Sequence, residues 1–261
     1  MLLRWWKNTW PYRELFFFLA WRDVKIRYRQ TVLGAAWAVL QPLVTMLIFT
    51  VLFGRMAKVP SEGIPYPLFS YSGLLLWTYF SVALSGGAGA LVGSSELIRK
   101  VYFPREALPA APILAALVDL GVGMILLVGL MLYYHASFTW HLLFLPLLVL
   151  ELLLFVMAVS LALAAVNVKY RDVKHALPFV IQLWMFLSPV IYPTNMVPER
   201  YRFLLALNPL TGIIETWRAC IFPGRNMPWS LLEVSIGMTV LIFFLGASYF
   251  KSAERAFADV I

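Results

Sequence analysis

Charge is scarce in this chain of 261 residues: Asp, Glu, Lys and Arg together make up 13%, about half the roughly 25% of an ordinary soluble domain. So little charge cannot clothe a water-soluble surface. The single cysteine, Cys220, excludes an internal disulfide. The three histidines, His135, His141 and His175, lie on separate segments and form no zinc-ligand spacing. Catalytic signatures are missing as well. There is no G-x-x-x-x-G-K-[ST] phosphate loop, no G-x-S-x-G elbow, no H-E-x-x-H and no carboxylate pair beside a histidine in one short window. The chain is therefore expected to be no enzyme, to hold no metal and to bind no cofactor, and any ATP it uses must be bound by another chain.

Apolar residues are abundant, at 62%, and mean hydropathy is +0.81. An all-α polytopic membrane protein is the class this composition describes. A crossing takes about 20 mostly apolar residues. Six segments qualify: 33–53, 68–93, 110–133, 142–167, 177–193 and 230–250. Six crossings put both ends on one side. Arg4, Lys7, Arg13, Arg22, Lys25, Arg27 and Arg29 precede the first, Arg99, Lys100 and Arg105 follow the second, Lys169, Arg171 and Lys174 follow the fourth, and Lys251 and Arg255 follow the last. The opposite face has Arg55 and Lys58 and then a few basic residues spread after Pro193. The positive-inside rule accordingly places the termini in the cytoplasm. The net charge of +8 is explained by this crowding of basic residues beside apolar spans, where topology and anionic membrane lipid account for it and nucleic acid is not an expected partner.

The N-terminal run LFFFLAW is too short for a crossing, is followed by more basic residues and lacks a small-residue cleavage site, so it is not read as a signal peptide. Residues 14–29 suit an amphipathic helix in the cytoplasmic interface, with Trp5, Trp6, Trp10 and Trp21 as headgroup-level anchors. The expected organisation is residues 1–32 as this N-terminal element, 33–250 as the six-span domain and 251–261 as a cytoplasmic tail.

Between Tyr192 and Trp229 two short apolar runs, FLLAL at 203–207 and LTGIIETWRACIF at 210–222, are parted by Asn208-Pro209, which breaks helix. A re-entrant helical hairpin over 194–229, dipping in from the outer face, fits this pattern. An amphipathic loop on the outer surface fits it too.

Two cytoplasmic connections carry more than polarity. Residues 94–109, SSELIRKVYFPREALP, mix charges, aromatics and a central proline in a way that suits a short helix docking on a partner, against the plainer possibility of a solvated turn. The loop at 168–176, within NVKYRDVKHALP, has similar character. Gln41-Pro42 in the first span, and Gln182 with Pro189 in the fifth, interrupt otherwise apolar helices. Asp119 and Glu151 each sit about nine residues into a span, roughly 13 Å deep at 1.5 Å per residue. An intramembrane carboxylate is a functional candidate, but a structural part, protonated or hydrogen-bonded between helices, is the favoured expectation.

RDVKIRYRQTVLGAAWAVLQPL at the first span, RKVYFPREALP after the second, NVKYRDV followed by SPVIYP around the fifth and LNPLTGIIETWR after it resemble, in order and nearly end to end, the hallmarks of the ABC-2-type permeases. Within that family the chain is most similar to the membrane subunits of polysaccharide exporters, which handle O-antigen, capsule or teichoic acid chains. The resemblance implies a homodimer, two separate ATPase subunits that carry the ATP and Mg, and a lipid-linked polysaccharide as substrate. It implies that Ser94 to Pro109 is a coupling helix seated on the ATPase, with Arg99, Tyr102, Phe103 and Arg105 in contact, and that Lys169 to His175, with Lys169 and Arg171, makes a second contact. It further implies that the first and fifth spans line the path, where Gln41 and Gln182 offer hydrogen bonds to hydroxyls and Trp37, Phe49, Trp184, Phe186 and Tyr192 offer flat faces to sugar rings; packing within the bundle is the plainer role for each ring.

Other classes make different demands. A proton-coupled carrier would use Asp119 and Glu151 as a relay, but such carriers commonly show internal repeats with broken helices in both halves, and one such region is visible here. A membrane-embedded transferase would need clustered histidines or acids near an interface. An ABC-2-type exporter of a drug or lipid stays open beside the polysaccharide exporter.

Overall fold

A computed structural model describes residues 10–29, 36–101, 103–137 and 139–257, and the described residues form helices and connections without a strand. The helices are α1 (Arg13–Tyr28), α2 (Ala36–Phe49), α3 (Tyr66–Gly93), α4 (Ser95–Lys100), α5 (Ala107–Tyr133), α6 (Leu145–Lys169), α7 (Val173–Phe186), α8 (Glu199–Ala206), α9 (Pro209–Ile221) and α10 (Trp229–Ala253). Among the described residues, five helical stretches are long and apolar enough to cross a membrane: Val39–Met56, Tyr66–Gly93, Ala107–Tyr133, Trp140–Lys169 and Trp229–Ala253. The chain is a multi-pass membrane protein. The segment expected as the fifth crossing departs from this pattern. Its helix α7 has 14 residues, rising about 20 Å, and stops at Phe186, so Pro189 lies in the turn beyond the helix rather than within it.

Helix α3 is the axis of the bundle, with α2, α5, α6, α7 and α9 all packed on it. Phe69, Tyr71, Leu76, Phe80, Leu84 and Leu91, spread along its length, are buried. Lipid is as apolar as leucine, so helices here are held by close packing and interhelical hydrogen bonds. The small residues of the Ser85–Ala90 stretch let α5 and α6 approach, and Asn167 donates from Nδ2 to the Ala88 carbonyl at 3.0 Å. Tyr71 Oη donates to the Gly123 carbonyl at 2.9 Å. Gly246 in α10 lies against α6 so closely that a Cβ would stand 2.3 Å from the Ala158 carbonyl oxygen.

Pro42 removes a backbone donor inside α2, yet the helix continues and widens at its far end into a π-helical stretch, Thr50–Met56. The hydroxyls of Thr45 and Thr50 bond back to the Gln41 and Met46 carbonyls at 2.9 and 2.7 Å.

Helix α1 packs along α5. Leu15, Phe16, Leu19, Asp23, Val24, Arg27 and Tyr28, spaced three and four apart, form its inward stripe, while Phe17, Phe18, Trp21, Arg22, Lys25 and Ile26 face outward. The outward face thus combines aromatic and basic residues. Trp5 and Trp6 lie outside the described residues.

Candidate functional site

Three regions carry more than packing: the loop between α3 and α5, expected on the inner side and called the inner loop, the faces of α2 and α7, and the segment around α9, expected on the outer side and called the outer segment. In the inner loop, α4 begins at Ser95 and ends where Val101 turns extended. Arg99 on α4 is exposed, as are Lys169 and Arg171 after α6. Phe103 does not present its ring outward: it is only 6% exposed and belongs to the core. Arg105 is likewise turned onto its own chain, donating to the Glu254 backbone carbonyl. Tyr102 lies outside the described residues.

Helices α2 and α7 both lean on α3, α2 beside Thr78 and Tyr79 and α7 against Phe80. Trp37 and Gln41 on α2 and Gln182 and Phe186 on α7 are exposed in the single chain. Around them Val44, Leu47, Ile48, Phe179, Val180 and Leu183 are also uncovered. The other path candidates are engaged internally. Phe49 meets Phe53 edge-on at 5.4 Å, and Tyr192 donates to the Phe186 carbonyl at 3.0 Å. Trp184 packs edge-on against Phe80 and Phe155, with centroids 5.1 and 5.8 Å away, and donates from Nε1 to Asn208 Oδ1 at 3.1 Å.

Asp119 accepts from Arg27 Nη1 and from Tyr28 Oη, both at the end of α1. This carboxylate is hydrogen-bonded between helices. Burial, then the Asp119 hydrogen bond and charge, push the Tyr28 phenol up to about 12, against a smaller opposing effect of Arg27. The pair opens on a cavity of about 220 Å3 whose walls include Trp37, Gln41, Thr78 and Tyr79. Glu151, buried on α6, meets Ser235 Oγ of α10 at 2.5 Å, and the same hydroxyl lies 2.8 Å from the Pro209 carbonyl at the start of α9. One carboxyl and one hydroxyl thereby tie three helices together.

The outer segment is built around a charged cluster that sequence reasoning missed. Asn208 caps α9, its Oδ1 accepting from the Leu210 N–H at 3.3 Å, and Pro209 occupies the first helical position, where its missing N–H is not needed. Every residue of α9 is buried, whereas α8 has none. Arg218 of α9 is wholly enclosed. Its Nη1 donates to the Pro189 carbonyl at 2.6 Å and lies 3.2 Å from Glu215 Oε1, and its Nη2 reaches the Val190 and Phe69 carbonyls at 2.7 and 3.3 Å. Arg225 bridges Glu215 Oε2, at 3.0 Å, and Glu62. Two cations face two anions, so the buried charge is compensated. The only hint in the sequence is an opposite-charge pair at i, i+3 inside an otherwise apolar run of 13 residues.

Residues 14–222 match the ABC-2 type transporter family. The chain is 32% identical over 258 residues to the O-antigen export system permease protein RfbA of Myxococcus xanthus, covering 98% of each chain. It is 25% identical over 244 residues to a Klebsiella pneumoniae protein of the same name, covering 92% of each. The polysialic acid transport protein KpsM of Escherichia coli is 24% identical over 238 residues, which is 90% of this chain and 92% of that one. With the family match spanning the inner loop, the α2 and α7 faces and helix α9 alike, this chain belongs to the ABC-2 type transporter family.

Proposed function

We propose that this chain is the permease subunit of an ATP-driven exporter that moves a lipid-linked polysaccharide from the cytoplasm across the bacterial inner membrane. The observation that carries this is end-to-end similarity, 98% of each chain, to a protein named as an O-antigen export permease. ATP and Mg belong to a pair of separate nucleotide-binding subunits, because this sequence has no phosphate loop.

Two copies pair through the surfaces that one copy leaves uncovered. Helices α2 and α7 expose Trp37, Gln41, Gln182 and Phe186 among apolar neighbours, and a second copy facing them would enclose a path with few charges. Aromatic faces and amides suit a sliding glycan, since each weak contact is exchanged for the next and tight binding would stall the chain. Phe49, Trp184 and Tyr192 belong to this path by position, Trp184 from the packed layer behind it.

Six crossings with both termini in the cytoplasm follow when α7 and the turn to Pro193 together make the fifth. Helices α8 and α9 then form the re-entrant pair on the outer side, and α1 enters from the cytoplasmic interface and packs along α5 as far as Asp119, with its aromatic and basic face outward. Arg99, Lys169 and Arg171, exposed on the inner connections, are the ATPase-facing positions, with Phe103 and Arg105 supporting the loop from within; Tyr102 keeps its expected contact on the strength of the sequence alone.

Co-expression with a candidate nucleotide-binding subunit, reconstitution, and measurement of ATP hydrolysis with and without lipid-linked glycan tests the proposal. Stimulation by glycan is the expected result. Hydrolysis indifferent to every glycan but responsive to a drug or a simple lipid would overturn the substrate assignment in favour of an ABC-2-type drug or lipid exporter.

A further inference from the structure

The half of the inner loop that follows Phe103 is clasped by the far end of the chain. Arg105 donates to the Glu254 carbonyl across 149 positions of sequence, and its guanidinium carbon lies 5.8 Å from the centre of the Phe257 ring. The next residue, Glu106, is buried and 3.5 Å from Lys251 Nζ, which also reaches Glu254 at 2.8 Å. Phe257 is only 2% exposed and meets Phe250 edge-on at 5.4 Å. A hydrogen bond, an ion pair and a cation–π contact thus converge on two consecutive loop residues, immediately before α5 begins at Ala107.

Half-buried Arg105 commits Nη1 and the face-on contact of its guanidinium to its own chain. Beyond the clasp, contacts continue without a gap. Helix α10 lies along α6 at Gly246, and nearer its start a Cβ on Gly212 of α9 would meet Ser235 of α10 at 2.5 Å. A rigid chain of packed elements therefore runs from the inner loop through α10 to the buried helix of the outer segment.

We infer that Arg105 and Phe257 are positioning residues for energy coupling: they lock the inner loop to the last helix, so that a push on the loop moves α10 and α9 together with α5 instead of being absorbed at Pro104. The inference rests on the proposed role of the loop as the ATPase contact. It assigns the C-terminal turn, Glu254 to Phe257, a part in transmission and not only in anchoring.

The test uses the full permease with its ATPase subunits in proteoliposomes, reading three quantities for each variant: subunit assembly by pull-down, ATP hydrolysis, and glycan exported per ATP. Arg105→Ala and Phe257→Ala are expected to assemble and hydrolyse within about twofold of the parent while exporting about tenfold less per ATP, as loss of one cation–π and hydrogen-bonded contact implies. The double variant should lose less than the product of the two single losses, since the singles share the Arg105–Phe257 contact. Arg105→Lys, which keeps a cation over the ring, should recover most of the ratio. An unchanged export-per-ATP ratio, losses that multiply in the double variant, or a parallel fall in assembly and hydrolysis would each overturn the inference. A parent chain that retains no ATPase at all would instead overturn the functional proposal beneath it, and that outcome is visible before any variant is made.

Discussion

The guanidinium carbon of Arg218 sits 3.7 Å from the centre of the Phe69 ring. From that position one fork closes the turn that ends α7 and holds it against α3. A lysine is a point charge and cannot reproduce the two-pronged contact with the Pro189 and Val190 carbonyls. Arg218→Lys should therefore lower the unfolding temperature in detergent, and Arg218→Ala should do so more steeply, by about 3–5 kcal/mol, because Glu215 is left buried with one cation fewer. Unchanged thermal unfolding of Arg218→Ala would contradict a structural role for the cluster.

Gly73 lies beneath the same fork. A Cβ there would stand 2.6 Å from the Val190 carbonyl oxygen and 2.7 Å from Arg218 Nη2, while at Gly121 no atom comes within 4 Å. Gly73→Ala should cost about 1–3 kcal/mol through overpacking. Gly121→Ala should be neutral or gain about 0.5–1 kcal/mol from helix propensity. Comparing the two unfolding temperatures separates local crowding from a general effect of adding a methyl group.

Trp184 and Phe186 sit two residues apart but face different surroundings. Trp184 is wedged between Phe80 and Phe155, so Trp184→Ala should destabilise the fold by about 3 kcal/mol. Phe186 is 52% exposed, and Phe186→Ala should change stability by no more than about 0.5 kcal/mol while slowing glycan export. Normal export by a well-folded Phe186→Ala permease would remove that ring from the path.

Docking of α1 should depend on alkaline pH. The Tyr28 phenol is raised from 10.0 to about 12 in the folded chain. Burial of the neutral phenol, and after it the bond to Asp119, gives stability that is complete below pH 10 and declines as the pH climbs through about 12. Tyr28→Phe should flatten that decline when protease access to α1 is followed against pH. Asp119→Asn keeps an acceptor for Tyr28 and should leave export near the parental rate at neutral pH; a steep loss would point to a relay role for the carboxylate.

The long apolar stretches of α3, α5, α6 and α10 are legible in the sequence because hydrophobicity sustained over some 25 residues is seldom found outside a membrane crossing. The break at Asn208-Pro209 is legible too, since it is local backbone chemistry. Hydropathy overstates the fifth segment, because apolar residues run on to Pro193 while helix stops at Phe186, and apolarity does not register where hydrogen bonding ends. Phe103 reads as a ring offered to a partner because nothing local in the sequence signals that it belongs to the core. Counting the rise per residue places Asp119 near the middle of a span without revealing its partner, since Arg27 is 92 positions away. The Glu62–Arg225–Glu215–Arg218 cluster escapes for the same reason: only one of its pairs is close in sequence.

Cys220, wholly buried in α9, gives the protein one experimental convenience. Thiol reagents added to the folded chain would find no native target, so a cysteine introduced at Arg99, Gln182 or Phe186 would report on its own surroundings without any background to subtract. Spin labels or fluorophores placed singly in this way would let each position's surroundings be followed through the ATP cycle in a protein otherwise unaltered.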